Sequence, residues 1–314
     1  MKYLLIILLL SVSLLACKKE KESENTADPQ TVQQTDDTQN LKNESDDSNS
    51  DIQTALENFP ELNGGRVAQT DSISHPICGC TIDASQRSSR IITLNFDGIN
   101  PCGSPSRTRA GSIRFQLVQG NNWRSAGAVI EINYQNYKVT RLRDNKSITI
   151  NGTKHLTNVR GTNWIGFLAF TDSLLYKERG INLTATFDGG AQSTFSIARL
   201  TQWKRYRVGI SPHIEFKAMG DTVIDGQANT DTWGLSRFGY VFTNSYQNQL
   251  VSNTYCQVWR PVAGSINHRS NNNLVNITYG VNQEGNPTQT TCAYGWKLSW
   301  QISGGRNGSQ IFSY

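Results

Sequence analysis

The chain has 314 residues, with 30 basic and 25 acidic side chains, 26 glycines and a net charge of +5. That length fits one large or two modest domains, and no βα alternation runs along it, which excludes a nucleotide-binding or hydrolase α/β sheet. The charge is unevenly placed: residues 18–51 carry 10 acidic and 4 basic side chains, whereas residues 52–314 carry 15 and 25, so the body could meet an anionic surface.

Residues 1–16 read as a signal peptide, with Lys2, a nearly continuous apolar run from Leu4 to Leu15, and Ala16 before Cys17. An apolar run of about 12 residues is short against the roughly 20 that span a bilayer. Leu14-Leu15-Ala16-Cys17 resembles the bacterial lipobox, which implies acylation of Cys17 and a mature chain anchored by lipid at the outer membrane, surface-exposed or facing the periplasm. The charged residues that follow resemble the export signals of surface lipoproteins in Bacteroidota.

Residues 17–51 have few apolar side chains and are expected to form a disordered acidic tether. Residues 52–72 read as a linker, with Ile52, Ala55, Leu56 and Phe59 spaced as a short docking helix that Pro60 limits. From residue 73 onward the expected class is all-β, an antiparallel β-sandwich-like fold. Alternation predicts strands over Ile91–Phe96, Ser112–Val118 and Ala128–Tyr134, with Ile113, Phe115, Leu117, Ile130, Ile132 and Tyr134 facing inward. Further strands are expected over Ser147–Ile150, Asn163–Phe170, Ile181–Phe187 and Ser193–Leu200, separated by Asn151-Gly152, Arg160-Gly161 and Asp188-Gly189-Gly190. A cysteine before a hairpin-like segment and another after its turn occur both early and late. This suggests two related modules, residues 73–210 and 211–314.

With Cys17 acylated, five cysteines remain. In an oxidising compartment Cys78 or Cys80 is expected to pair with Cys102, and Cys256 with Cys292. Late in the chain Trp296, Leu298, Trp300 and Ile302 share one strand face, as expected for a core seam.

Thr93-Leu-Asn-Phe-Asp-Gly98, Cys102, Arg107-Thr-Arg-Ala-Gly-Ser-Ile113, Cys256-Gln-Val-Trp-Arg-Pro-Val-Ala-Gly-Ser-Ile266 and Tyr279-Gly280 resemble segments of the uncharacterised all-β cell-envelope lipoproteins of Bacteroidota. The resemblance covers roughly Pro76 to Gln301. It implies location and fold class but no catalytic residue, and the chain departs from the pattern at Cys80 and Asn95.

The four histidines lack zinc-site spacing, and neither a nucleophile elbow nor a phosphate loop is present. Asp221, Asp225, Asn229 and Asp231, near Gly226, form a candidate Ca²⁺ loop, though not with EF-hand spacing. Trp203, Arg205 and Arg207 on one strand, and Trp123 with Arg124 in a turn, are candidate ligand contacts for a sugar or an anionic polymer. Asp71-Ser-Ile73, Asp172-Ser-Leu174 and Asp221-Thr-Val223 resemble O-glycosylation acceptors of Bacteroidota. The expected function is a lipid-anchored, non-enzymatic binding or structural module. Its expected partners are the membrane and an envelope glycan or other anionic polymer, with no nucleic acid. The rival expectations are a surface glycan-processing enzyme and an accessory subunit of an outer-membrane complex.

Overall fold

The computed structural model describes residues 29–64, 76–103, 106–169, 173–257, 260–288, 292–302 and 305–314. The expected leader, Cys17, His75 and the Asp71 tripeptide lie outside the described residues, as does Asp172 of the second tripeptide. The described residues form an all-β fold apart from two α-helices and two single 3₁₀ turns, and their strands are antiparallel throughout.

The first correction is to the acidic tether. From Pro29 onward it is helix, α1 (Pro29–Asn58), about 45 Å long at 1.5 Å per residue. Pro29 opens it, where a missing N–H costs nothing. Its buried positions among the described side chains are Gln34, Asp37, Leu41, Glu44, Ser45, Ser48, Ile52, Gln53, Ala55 and Leu56, continued by Phe59 after the helix ends. That is a continuous stripe at i+3 and i+4 spacing, mostly polar up to Ser48 and mostly apolar from Ile52. The expected docking helix is therefore the last turns of α1, and Ile52, Ala55, Leu56, Phe59 and Leu62 of the expected linker belong to the core.

The strands are β1 (Cys80–Asp83), β2 (Ile91–Asp97), β3 (Arg107–Gln119), β4 (Ala128–Arg141), β5 (Ser147–Asn158), β6 (Ser173–Phe187) and β7 (Gln192–Val208). They continue with β8 (Ser211–Gly220), β9 (Thr222–Ile224), β10 (Gln227–Leu235), β11 (Val241–Asn253), β12 (Ala263–Ser270), β13 (Asn273–Val281), β14 (Gly295–Ile302) and β15 (Arg306–Ser313). All belong to one sheet that runs as a meander from β1 to β7, then through β10 to β15. β8 and β10 share the slot between β7 and β11, one at each end: β8 pairs with Arg199–Val208 and Leu250–Asn253, β10 with Thr194–Ile197 and Val241–Ser245. Where they meet, a Cβ on Gly220 would stand 2.0 Å from the Asn229 carbonyl oxygen, so only glycine fits.

Ile113, Phe115, Leu117, Ile130, Ile132 and Tyr134 are buried as the alternation predicts. Two expectations are corrected. Asn151-Gly152 lies inside β5 at a bulge, where Asn151 Oδ1 accepts the Asn136 N–H at 2.7 Å. The strand expected over Asn163–Phe170 is a helix where it is described: Trp164–Ala169 forms the short helix α2, because Asn163 Oδ1 caps the Gly166 N–H at 3.0 Å.

The ladder is unbroken across residue 210, through the β7–β8 hairpin. Packing is more divided. One apolar cluster extends from Leu41 to Phe242, a second joins Ala218, Tyr246, Leu250 and Ile266, and a third joins Val275, Trp300 and Ile302. Leu298 packs on the third cluster, and Trp296 stacks on Phe312 with ring centroids 4.2 Å apart. Cys78 bonds Cys102 and Cys256 bonds Cys292. Cys80 is a thiol that burial pushes up to a pKa of about 12, which keeps it protonated and unreactive.

Candidate functional site

Of the candidate ligand contacts, Trp123 is corrected to core. It is fully buried, stacks on Tyr176 and donates its indole N–H to Gln53 Oε1 of α1 at 3.0 Å. Arg124 beside it is exposed. Trp203 is half-buried in an aromatic cluster with Trp164 and Phe216, at centroid distances of 5.0 and 4.6 Å. Arg205 donates to the Leu168 carbonyl at 2.9 Å, and Arg207 is exposed.

The Ca²⁺ candidates are split apart. Asp221 accepts from Lys177 at 2.7 Å and Arg179 at 2.8 Å, whereas Asp231 is buried in the interior. Asp225 and Asn229 are exposed, both with positive φ. Among the described residues no three His, Cys, Asp or Glu side chains converge to hold a metal ion.

The densest chemistry lies where α1 meets the sheet. Glu178 on β6 accepts from Lys154 Nζ at 2.6 Å, Arg199 Nη2 at 2.8 Å and Ser45 Oγ of α1 at 2.6 Å, all buried. Burial pushes the Glu178 carboxyl up, but the two cations outweigh it and hold it far below the usual carboxylate range. Arg199 also bonds Asp46, Arg107 bonds Asp47, and Arg109 bonds Asp51. Arg237 grips Asp37 with two hydrogen bonds of 2.6 and 2.7 Å. Lys42 bonds the Tyr246 hydroxyl over Asp231, whose carboxyl burial pushes up despite Lys42 and Arg199. The cationic interior of the sheet is thus answered by the acidic helix. Asp37, Asp46, Asp47 and Asp51 of the helix are held in ion pairs with that interior, an arrangement that fixes structure. The opposite charges of residues 18–51 and 52–314 were the signal for this contact.

A second arrangement lies on the other face of β11–β15. Two rows of side chains cross these strands in register. One runs Thr243, Arg269, Leu274, Gln301, Asn307; the other runs Asn267, Asn276, Ser299, Ser309. Leu274, Asn276, Ser299, Gln301, Asn307 and Ser309 of these rows line a groove of about 450 Å³ over β13–β15. At Leu274 it meets a second groove of about 390 Å³, which reaches Asn271, Asn272, Gln227 and Asp225. Asn276 is preset: it donates to Asn267 Oδ1 at 2.8 Å and accepts from the Thr278 hydroxyl at 2.8 Å. Among the described residues, Asp225 and Arg269, both in the second groove, are the ionisable side chains that line the two grooves; the remaining polar side chains are amides, hydroxyls and the Trp300 indole. Sequence pattern alone does not single out these residues, because asparagines near turns read first as turn formers.

No protein-family model, no curated protein and no solved structure matches this chain.

Proposed function

We propose that this chain is a lipid-anchored module of the bacterial cell envelope that binds a neutral glycan along the two grooves of β10–β15 without turning it over. The carrying observation is the in-register set of amide and hydroxyl side chains Asn276, Ser299, Gln301, Asn307 and Ser309, which offer donors and acceptors along one groove of the sheet. A sugar chain presents the complementary hydroxyls, and the combined volume suits an extended ligand. Residues 1–17 supply the anchor and the outer-membrane location in this reading, through their lipobox-like ending.

The test is binding of the purified chain to arrayed envelope glycans at two salt concentrations, with released reducing ends assayed in the same wells. Binding is expected without product release, changing less than about twofold with salt because the grooves are nearly neutral. Asn276→Ala with Gln301→Ala should weaken it roughly tenfold or more through two lost hydrogen-bonding amides. Product release would make the protein a glycan-processing enzyme. Steeply salt-dependent binding that the double variant leaves intact would move the site to the cationic surface, and silence throughout would favour a protein partner.

A further inference from the structure

The β7–β8 hairpin runs out beyond the sheet that carries it. Among the described residues, β6 last pairs with β7 at Ser173–Lys204, and β11 last pairs with β8 at Asn253–Glu215. Residues 205–214 therefore continue as a two-stranded ribbon, braced at its base by the Thr254 hydroxyl on the Ile214 N–H at 2.9 Å. The Val208–Ser211 pair leaves a two-residue turn, Gly209-Ile210. Gly209 has φ +61° at its first position, as a tight hairpin with glycine there requires. That geometry forces Ile210 to the apex, where it is 93% exposed, with Val208 40% exposed beside it.

An isolated ribbon is marginal in water, and an isoleucine at its tip gains nothing there. The rest of the arm has a consistent chemistry. Lys204 and Arg207 are exposed, Arg205 lies between them, and the one acidic residue from Lys204 to Glu215 is Glu215, opposite Lys204 at the base of the arm. Tyr206, His213 and Tyr255 form a row of rings behind the tip, at centroid distances of 5.6 and 5.2 Å. Pro212, opposite Arg207, removes a strand-edge donor and disfavours pairing with another strand. An apolar apex, then a collar of tyrosines and cations, is the order of groups that a bilayer presents in reverse: hydrocarbon, interface, anionic headgroup.

We propose that the β7–β8 arm is a membrane-contact finger: Ile210 and Val208 enter an anionic phospholipid surface, and Lys204 and Arg207 meet its phosphates. This contact is separate from acylation of Cys17 and from the glycan grooves. It would fix the orientation of the body on the membrane, which a lipid at the far end of the chain does not.

The test uses the chain from residue 17 onward carrying Cys17→Ser, which keeps every described residue and no acyl group. It is sedimented with vesicles of equal parts phosphatidylcholine and phosphatidylglycerol, and with phosphatidylcholine alone. The parent should sediment with the anionic vesicles and lose most of that binding at about 0.5 M salt. Val208→Asp with Ile210→Asp should weaken it roughly tenfold or more, and Lys204→Gln with Arg207→Gln by a similar factor. Unchanged melting temperatures would show that both variants fold. No sedimentation of the parent, equal sedimentation of parent and apex variant, or equal affinity for neutral vesicles would each overturn the proposal.

Discussion

Glu44 shows how one residue sets a pH response. It sits on the buried stripe of α1 with Oε2 unpartnered and Oε1 3.7 Å from Arg107. Burial pushes its carboxyl from 4.5 up to about 7; Arg107 and Arg109 oppose that shift, while Asp47 and Asp51 add to it. Between those values the folded chain holds a proton that the unfolded chain has released, so stability falls as pH rises from about 4.5 to 7. Asp51, raised from 3.8 to about 6 by burial, acts with the same sign over a lower window. Glu178 acts oppositely: its depressed pKa gives stability that is present above the unfolded value and lost only in strong acid. Glu44→Gln should therefore raise stability at pH 8 by about 1–3 kcal/mol and change it little at pH 4. Urea titrations of both proteins across that range check this, and parallel pH profiles would refute the assignment. Nothing at Glu44 in the sequence announces its burial, because Arg107 lies far along the chain.

At the scale of elements, strands and disulfides were legible because their signals are local. Alternation in Ile113–Leu117 or Ile130–Tyr134 needs only the pleat and one buried face. Helix α1 was legible only where its stripe is apolar, from Ile52 to Leu56. Upstream the same stripe is written as Gln34, Asp37, Glu44, Ser45 and Ser48, residues that propensity assigns to solvent or coil. The partners of the last four are Arg237, Arg107, Glu178 and Tyr134, between 63 and 200 positions away. The trench for the helix exists only after the sheet forms. A peptide spanning Pro29–Asn58 should accordingly be mostly unstructured by circular dichroism in water. Within the protein, Ile52→Ala should cost about 2–5 kcal/mol, whereas Asp36→Ala on the exposed side should stay within about 0.5 kcal/mol. A strongly helical free peptide, or equal costs at the two positions, would contradict a helix held by its trench. The amide rows were illegible for a related reason: Gln301 and Asn307 fall into one row with Arg269 only through strand register.

For the whole molecule, α1 is the element that bears on whether residues 73–210 and 211–314 fold apart. Its first half bonds Arg237, Tyr246 and Tyr279, and its second half bonds Glu178, Tyr134, Arg109 and Asn163. The helix thus spends its binding groups on both sides of residue 210, and β8 and β10 fill one slot between β7 and β11. Separating the halves would strand buried charges on each side, at a cost of several kcal/mol per uncompensated ion. Against a typical stability of roughly 5–15 kcal/mol, neither half retains a margin. The chain should then unfold in one transition, with tryptophan fluorescence and far-ultraviolet circular dichroism giving the same denaturant midpoint. Trp123 and Trp164 report the first half, and Trp296 and Trp300 the second. A fragment of residues 211–314, even with Cys256 bonded to Cys292, should lack a cooperative transition. Two separated midpoints, or a cooperatively folding fragment, would establish independent modules and reduce α1 to a strap between them.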